Sequence, residues 1–175
     1  MAAENNVFGC GYNSDMTEQA PNAHLTAAIW HWDVYYQAAI ETAMTCGGAE
    51  NFVTEMGGNA YYAGLSEGFV DASTLNELVA APGTAAAMEA VRELIDSGEW
   101  DVFSGVKLNI TVDAEAGTAA VEQVDAPLMS DGYELKDGEV VEMANPEIVP
   151  AGGASVTDDV IKSGMNYNVA GVVEG

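Results

Sequence analysis

The spacing of apolar residues changes near residue 105, and this change limits the folds open to the chain. Before that point, short apolar runs alternate with segments of helical spacing. After it, polar and apolar residues alternate in runs that are separated by turn residues. The first pattern predicts a layered α/β domain with a largely parallel sheet. The second predicts β-hairpins, so we divide the chain into residues 1–105 and 106–175.

Residues 1–105 carry signals for several strands and two helices. Asp33 is a plausible N-cap for the first helix, which presents Tyr36 and Ile40 at helical spacing and stops at a Gly-Gly pair. The second helix has Thr84 as its cap and ends at Gly98. The predicted strands cover residues 7–10, 24–30 and 60–62, and a further short strand follows the loop 64–68.

Residues 106–175 contain the marks of hairpins. Turn residues at 113–117 and at Asp137-Gly138 separate runs in which polar and apolar residues alternate. A short helix with Thr157 or Ser155 as its cap is predicted next, and an extended tail follows it.

The charge of the chain restricts its partners. It has 28 acidic and 4 basic residues, which gives a net charge of −24. Such a surface repels phosphate backbones and anionic lipid, so binding of nucleic acid or of a membrane surface is disfavoured. A neutral or cationic small ligand is easier to accept. Solubility or adaptation to high salt is the alternative explanation of the acidity.

Neither the cysteines nor the histidines form a metal motif. Cys10 and Cys46 are far apart in sequence, and two buried free thiols are favoured over a disulfide. His24 and His31 are separated by a spacing that suits no helical metal pair. We therefore predict no metal and no cofactor.

The sequence gives no direct signal for a membrane. No apolar run reaches transmembrane length, and the opening MAAENN lacks the basic start and apolar core of a signal peptide. Taken alone, these features predict a cytosolic protein if Met1 is the true start.

Three loops follow predicted strands and gather polar and aromatic residues. In open α/β sheets, ligands bind in the loops at the carboxyl ends of strands. Carboxylate and amide oxygens suit hydroxyl groups, and indoles offer flat apolar faces to a ring. We therefore expect a ligand with both a ring and hydroxyls. The candidate residues are Asn13, Ser14, Asp15, Trp30, Trp32 and Glu67.

Each of these residues has a structural alternative. Asp15 would serve equally well as the cap of a following helix, and Glu67 as a solvated turn residue. Trp30 and Trp32 alternate at a predicted strand end and should point to opposite faces, with Trp30 expected to face the ligand.

Five segments in register carry a resemblance to a known family. They are GYNSDM, HLTAAIWHWDVYY, YYAGLSEGFVD, IDSGEWDVFSG and MNYNVAGVVEG. In order and spacing they resemble the basic membrane protein family, the substrate-binding lipoproteins of ABC importers, some of which are purine nucleoside receptors. The likeness covers nearly the whole chain except residues 106–145.

The resemblance implies a periplasmic binding protein type I fold, in which two α/β lobes close on a ligand. Residues 1–105 would be a partial second lobe, and residues 106–175 a hinge segment with a returning C-terminal helix and strand. The first lobe, the signal peptide and the lipobox cysteine would then be missing. The whole protein would be lipid-anchored or periplasmic, on the extracytoplasmic face of the plasma membrane, with an ABC permease as its partner.

The resemblance also assigns roles to particular positions. Asn13 stands where relatives often carry an acidic residue that contacts ribose hydroxyls, and Asp15 takes the second place of that pair. Trp30 replaces a lysine of nucleoside-binding relatives and resembles a W-x-W branch, in which it would stack on a base. Glu67 takes the acidic place of a G-L-K-D-G-like pattern, and Ser66 replaces its lysine.

The predicted function is therefore capture of a purine nucleoside or nucleobase, without catalysis. A nucleoside hydrolase that uses Asp15 and Glu67 as an acid/base pair is the alternative. A non-functional fragment with an exposed apolar cleft is the third possibility.

Overall fold

The computed structural model describes residues 7–171. The chain forms two compact units. One consists of the residues up to Ala85 together with Ala114–Ala116, and the other of Ala86–Asp113 and the residues from Gly117 onward. Both helices and strands are present, in several sheets, so the protein belongs to the α/β class as predicted. The functional division at residue 105 stays a prediction.

The first unit contains a three-stranded sheet in the order β1-β2-β3. Its strands are β1 (Gly9–Asn13), β2 (His24–Trp30) and β3 (Val70–Ala72). β1 is parallel to β2, but β3 is antiparallel to it, so the prediction of a largely parallel sheet is only half right. β2 has the predicted bounds. β1 lies later than predicted because its pairing starts at Gly9, opposite His24.

Residues 7–171 contain three α-helices, namely α1 (Trp32–Thr45), α2 (Phe52–Glu55) and α3 (Thr84–Asp96). α1 begins one residue before the predicted cap Asp33, and no side chain caps it. α3 has the predicted extent, and Gly98 at φ 72° lies just beyond its end, but Thr84 is its first helical residue instead of its cap. The short α2 was not predicted.

The predicted strand at residues 60–62 does not form. Its apolar signal comes from Tyr61, whose ring packs against Tyr35 and Phe69 instead of standing on a sheet. Just upstream, Gly57 and Gly58 have positive φ angles of 81° and 138°, which reverse the chain after α2.

The second unit is built from hairpins, as the alternation predicts. β4 (Val106–Asp113) pairs with β5 (Thr118–Asp125), and β6 (Leu128–Lys136) pairs with β7 (Glu139–Glu142), in both cases antiparallel. Asp137 and Gly138 both have positive φ angles, 54° and 86°, as expected of a type I′ turn. β6 also pairs with β8 (Glu147–Val149) and β9 (Tyr167–Val169), and a π-helical turn spans Val160–Gly164.

Burial in the described part of the chain is limited. The buried apolar residues there are Ala23, Ala27, Phe69 and Val149. The apolar stripe predicted for α1 is exposed at Tyr36 (58%) and at Ile40 (60%). Across residues 7–171, no helix combines the length and apolarity needed to cross a membrane.

Candidate functional site

The strand directions bring the predicted loops to one edge of the sheet. Because β1 and β2 are parallel, Asn13 lies opposite Ile29 at the carboxyl ends of both strands. β3 runs the other way, so its first residue, Val70, lies opposite Trp30 at this same edge. The loop with Glu67 therefore reaches the edge from the start of an antiparallel strand, not from the end of a parallel one. The three loops therefore share one edge of the sheet, but the loop with Glu67 precedes β3 instead of following a parallel strand.

Seven rings form an aromatic cluster at this edge. Trp30 and Trp32 stack with their ring centroids 5.9 Å apart and an interplanar angle of 29°. The prediction that they point to opposite faces is wrong, because Trp32 begins α1 and does not continue β2. The chain turns at His31, at φ −94° and ψ 79°, which places both indoles on one side. The cluster consists of Tyr12, Trp30, Trp32, Tyr35, Tyr36, Tyr61 and Phe69.

Phe69 anchors the aromatic cluster from inside. Its side chain is 4% exposed, and its ring centroid lies 5.4 Å from that of Trp30, 5.6 Å from that of Trp32 and 5.2 Å from that of Tyr61. The outer members are open, since Tyr12 is 73% and Trp32 49% exposed. The cluster therefore offers preformed aromatic surface to a flat ligand.

Asp15 holds its own loop. Its Oδ1 accepts hydrogen bonds from the Thr17 backbone N–H at 2.8 Å and from the Thr17 hydroxyl at 2.6 Å. The same oxygen lies 3.4 Å from Nε2 of the buried His24. The Thr17 hydroxyl, the Thr17 N–H and then His24 lower the pKa of Asp15. The alternative that Asp15 caps a following helix is wrong, because residues 17–19 form a turn and not a helix. Asp15 instead bonds within its own loop, and its carboxylate remains accessible to a ligand.

Glu67 closes the turn that precedes β3. Its Oε2 accepts a hydrogen bond from the Gly64 backbone N–H at 2.7 Å. This bond and a second one from the Ser66 side chain lower the pKa of Glu67. The turn alternative therefore also describes the geometry of this residue.

Asn13 and Ser14 are both exposed at the edge. Asn13 has a φ of 71°, a left-handed conformation that asparagine tolerates better than most residues. This conformation turns the chain away from β1 towards Asp15.

Sequence reasoning did not identify every residue at the edge. His31 Nε2 lies 3.9 Å from Asp71 Oδ2, and Tyr12 makes an edge contact with Trp30 at 6.3 Å. The place of Tyr12 directly before Asn13 was the available signal. Within residues 7–171, no group of three or more His, Cys, Asp or Glu side chains is arranged to hold a metal ion.

Both cysteines are free thiols, as favoured from the sequence, but neither is buried, since Cys10 is exposed and Cys46 is half-buried. Cys10 and Tyr12 on β1 are exposed, as is Phe8 just before the strand, so this face of the sheet is open.

The sequence matches no protein-family model and no curated protein.

Proposed function

We propose that this chain is part of the solute-binding component of an ABC importer. In this role it binds a purine nucleoside or nucleobase at the edge formed by β1, β2 and β3, and a permease receives the ligand. The resemblance to the basic membrane protein family motivates the proposal, and with it a periplasmic binding protein type I architecture.

The aromatic cluster is the observation that carries the proposal. Its exposed Trp32 face suits a planar base, because stacking on an indole already held by Trp30 and Phe69 requires little reordering. Asn13 and Asp15 come from the neighbouring strand end and offer amide and carboxylate oxygens to hydroxyl groups.

The hydrolase alternative is supported less well. An acid/base pair needs environments that push its two pKa values apart, so that one carboxyl stays protonated near neutral pH. Here local hydrogen bonds lower the pKa of both Asp15 and Glu67. Both groups are therefore ionised at neutral pH, which suits binding of hydroxyl donors better than proton donation.

Calorimetry with adenosine, inosine and adenine, combined with an assay for released base, tests the proposal. We expect weak binding, with a dissociation constant on the order of 1 mM, because one lobe supplies half of the contacts. The Trp32→Ala variant should abolish the heat of binding. The Trp100→Phe variant is the control, since Trp100 lies in the other unit and its Nε1 donates to the Val106 carbonyl.

Three results would contradict the proposal. Release of base would favour the hydrolase. Equal binding by the Trp32→Ala variant would remove the aromatic cluster from the site. Absence of any heat at saturating nucleoside concentrations would favour the non-functional fragment.

A further inference from the structure

A second concave site lies beside the aromatic cluster. It is a half-open cavity of about 150 Å³ between the start of α1, α2 and the loop that follows α2. It is lined by Tyr35, Phe52, Val53, Met56, Gly58, Asn59, Ala60 and Tyr61. Tyr35 and Tyr61 also belong to the aromatic cluster, but none of the residues Asn13, Ser14, Asp15, Trp30, Trp32 and Glu67 lines the cavity, so this site goes beyond the proposed function.

Contacts between aromatic rings stabilise the shape of the cavity. Tyr35 and Tyr61 both line the cavity, and their ring centroids lie 5.3 Å apart. Each of these rings also contacts one further aromatic ring. Phe69 packs on Tyr61 at 5.2 Å, and Trp32 packs on Tyr35 at 6.4 Å. Because these rings already pack against one another, a ligand would enter a preformed site.

The rim of the cavity depends on the Gly57-Gly58 pair. Gly57 N–H donates to the Thr54 carbonyl at 3.0 Å, and Gly58 N–H donates to the Val53 carbonyl at 2.8 Å, so the last turn of α2 is closed. Both glycines have positive φ angles, and the resulting reversal returns Asn59 and Tyr61 towards Tyr35.

The lining is uncharged, although the chain carries a net charge of −24. An anionic ligand would find no cation in this lining and would be repelled by the net charge of the protein. Asn59 contributes an amide that both donates and accepts hydrogen bonds, whereas the other lining side chains are aromatic, apolar or absent.

The volume of the cavity limits how large a ligand it can enclose. A cavity of about 150 Å³ holds one benzene-sized ring. A nucleoside, with its ribose, is too large. We propose that this cavity is a binding site for an uncharged, single six-membered aromatic ring with a hydrogen-bonding edge, such as a phenol or a pyrimidine base.

Methyl NMR of the full chain tests the site with phenol and uracil as probes. Met56 lines the cavity, so a bound ring should shift its methyl resonance upfield in a saturable way, with a dissociation constant on the order of 1 mM. Met44 is the internal control, because it lies on α1 and is 80% exposed. Benzoate tests the charge argument and should bind at least tenfold more weakly than phenol.

Two variants separate binding in the cavity from other effects. Ala60→Leu fills the cavity from an exposed position and should weaken phenol binding at least tenfold without unfolding the unit. Tyr62→Ala is the control, because Tyr62 is an exposed neighbour outside the lining, and it should leave binding unchanged.

The proposal is overturned if neither neutral probe shifts the Met56 methyl, if Met44 shifts equally, or if Ala60→Leu binds like the unmodified protein. Equal binding of benzoate would overturn the assignment of ligand class. Nucleoside binding is measured separately through Trp32, so either site can fail without the other.

Discussion

Replacement of Phe69 by alanine should destabilise the first unit more than any exposed substitution in it. Phe69 is the buried member of the aromatic cluster and contacts Trp30, Trp32 and Tyr61. Truncation of a buried phenylalanine typically costs about 3–5 kcal/mol, through lost transfer free energy and the cavity left behind. Because this unit has few buried apolar residues and the rings can partly collapse, we expect about 3 kcal/mol, the lower end of that range.

Urea unfolding followed by tryptophan fluorescence measures this loss. All proteins should carry Trp100→Phe, so that the signal comes only from Trp30 and Trp32 in the first unit. With a urea dependence of about 1–2 kcal/mol per molar, a loss of 3 kcal/mol lowers the midpoint by roughly 1.5–3 M. If the free energy of unfolding of the unit is less than about 3 kcal/mol, the Phe69→Ala variant would be unfolded already in the absence of urea.

Two further variants serve as comparisons for Phe69→Ala. Phe69→Leu retains apolar volume but removes the ring contacts, so it should cost about 1–2 kcal/mol. Phe8→Ala is the matched control, because Phe8 is exposed, and it should change the free energy of unfolding by less than about 0.5 kcal/mol. If Phe69→Ala costs no more than Phe8→Ala, the aromatic cluster does not stabilise this unit.

Three other perturbations have expected outcomes. Gly105→Ala should destabilise the second unit by more than about 2 kcal/mol in thermal unfolding, because its Cβ would collide with the backbone of Pro150 and Gly153; Gly9→Ala has open space and should be nearly neutral. The lowered pKa of Asp15 means that its stabilisation is complete above its unfolded-state pKa and is lost as pH falls through its folded-state pKa, below about pH 4. Asp15→Asn should therefore reduce the difference in stability between pH 7 and pH 3 measured by urea unfolding, and an unchanged difference would refute this. Raising NaCl from about 0.1 to 1 M shortens the Debye length from about 10 to 3 Å. This screening of the net charge of −24 should raise the melting temperature by about 3–6 °C in calorimetry, and a fall would contradict the argument.

Much of the local structure could be predicted because neighbouring residues determine it. The Asp137-Gly138 turn forms where both residues adopt positive φ, and Gly98 follows the end of α3. β2 was located by its apolar run, and the hairpin pair β4–β5 by its alternation. These signals act over a few residues, so they need no knowledge of the rest of the chain.

The candidate site could be predicted only as a set of loops. The meeting of the loops after β1 and β2 followed from their predicted order, whereas the loop with Glu67 reaches the same edge from the start of the antiparallel β3. The positions of the individual side chains could not be predicted from the sequence. Asp15 and Glu67 each accept hydrogen bonds from their own loop, and Trp32 stacks on Trp30. Such choices depend on competition between local hydrogen bonds and distant partners, which a linear pattern does not reveal.

The sequence by itself determined the acidic character, the turns, the hairpins and the class of fold. Only the tertiary structure decided that β3 runs antiparallel to β2, that Tyr61 joins an aromatic cluster instead of a strand, and that the apolar stripe of α1 stays exposed. The physical reason is that φ and ψ preferences and local hydrogen bonds belong to short segments. Burial and strand direction arise from contacts between residues far apart in the chain, such as Phe69 and Trp30.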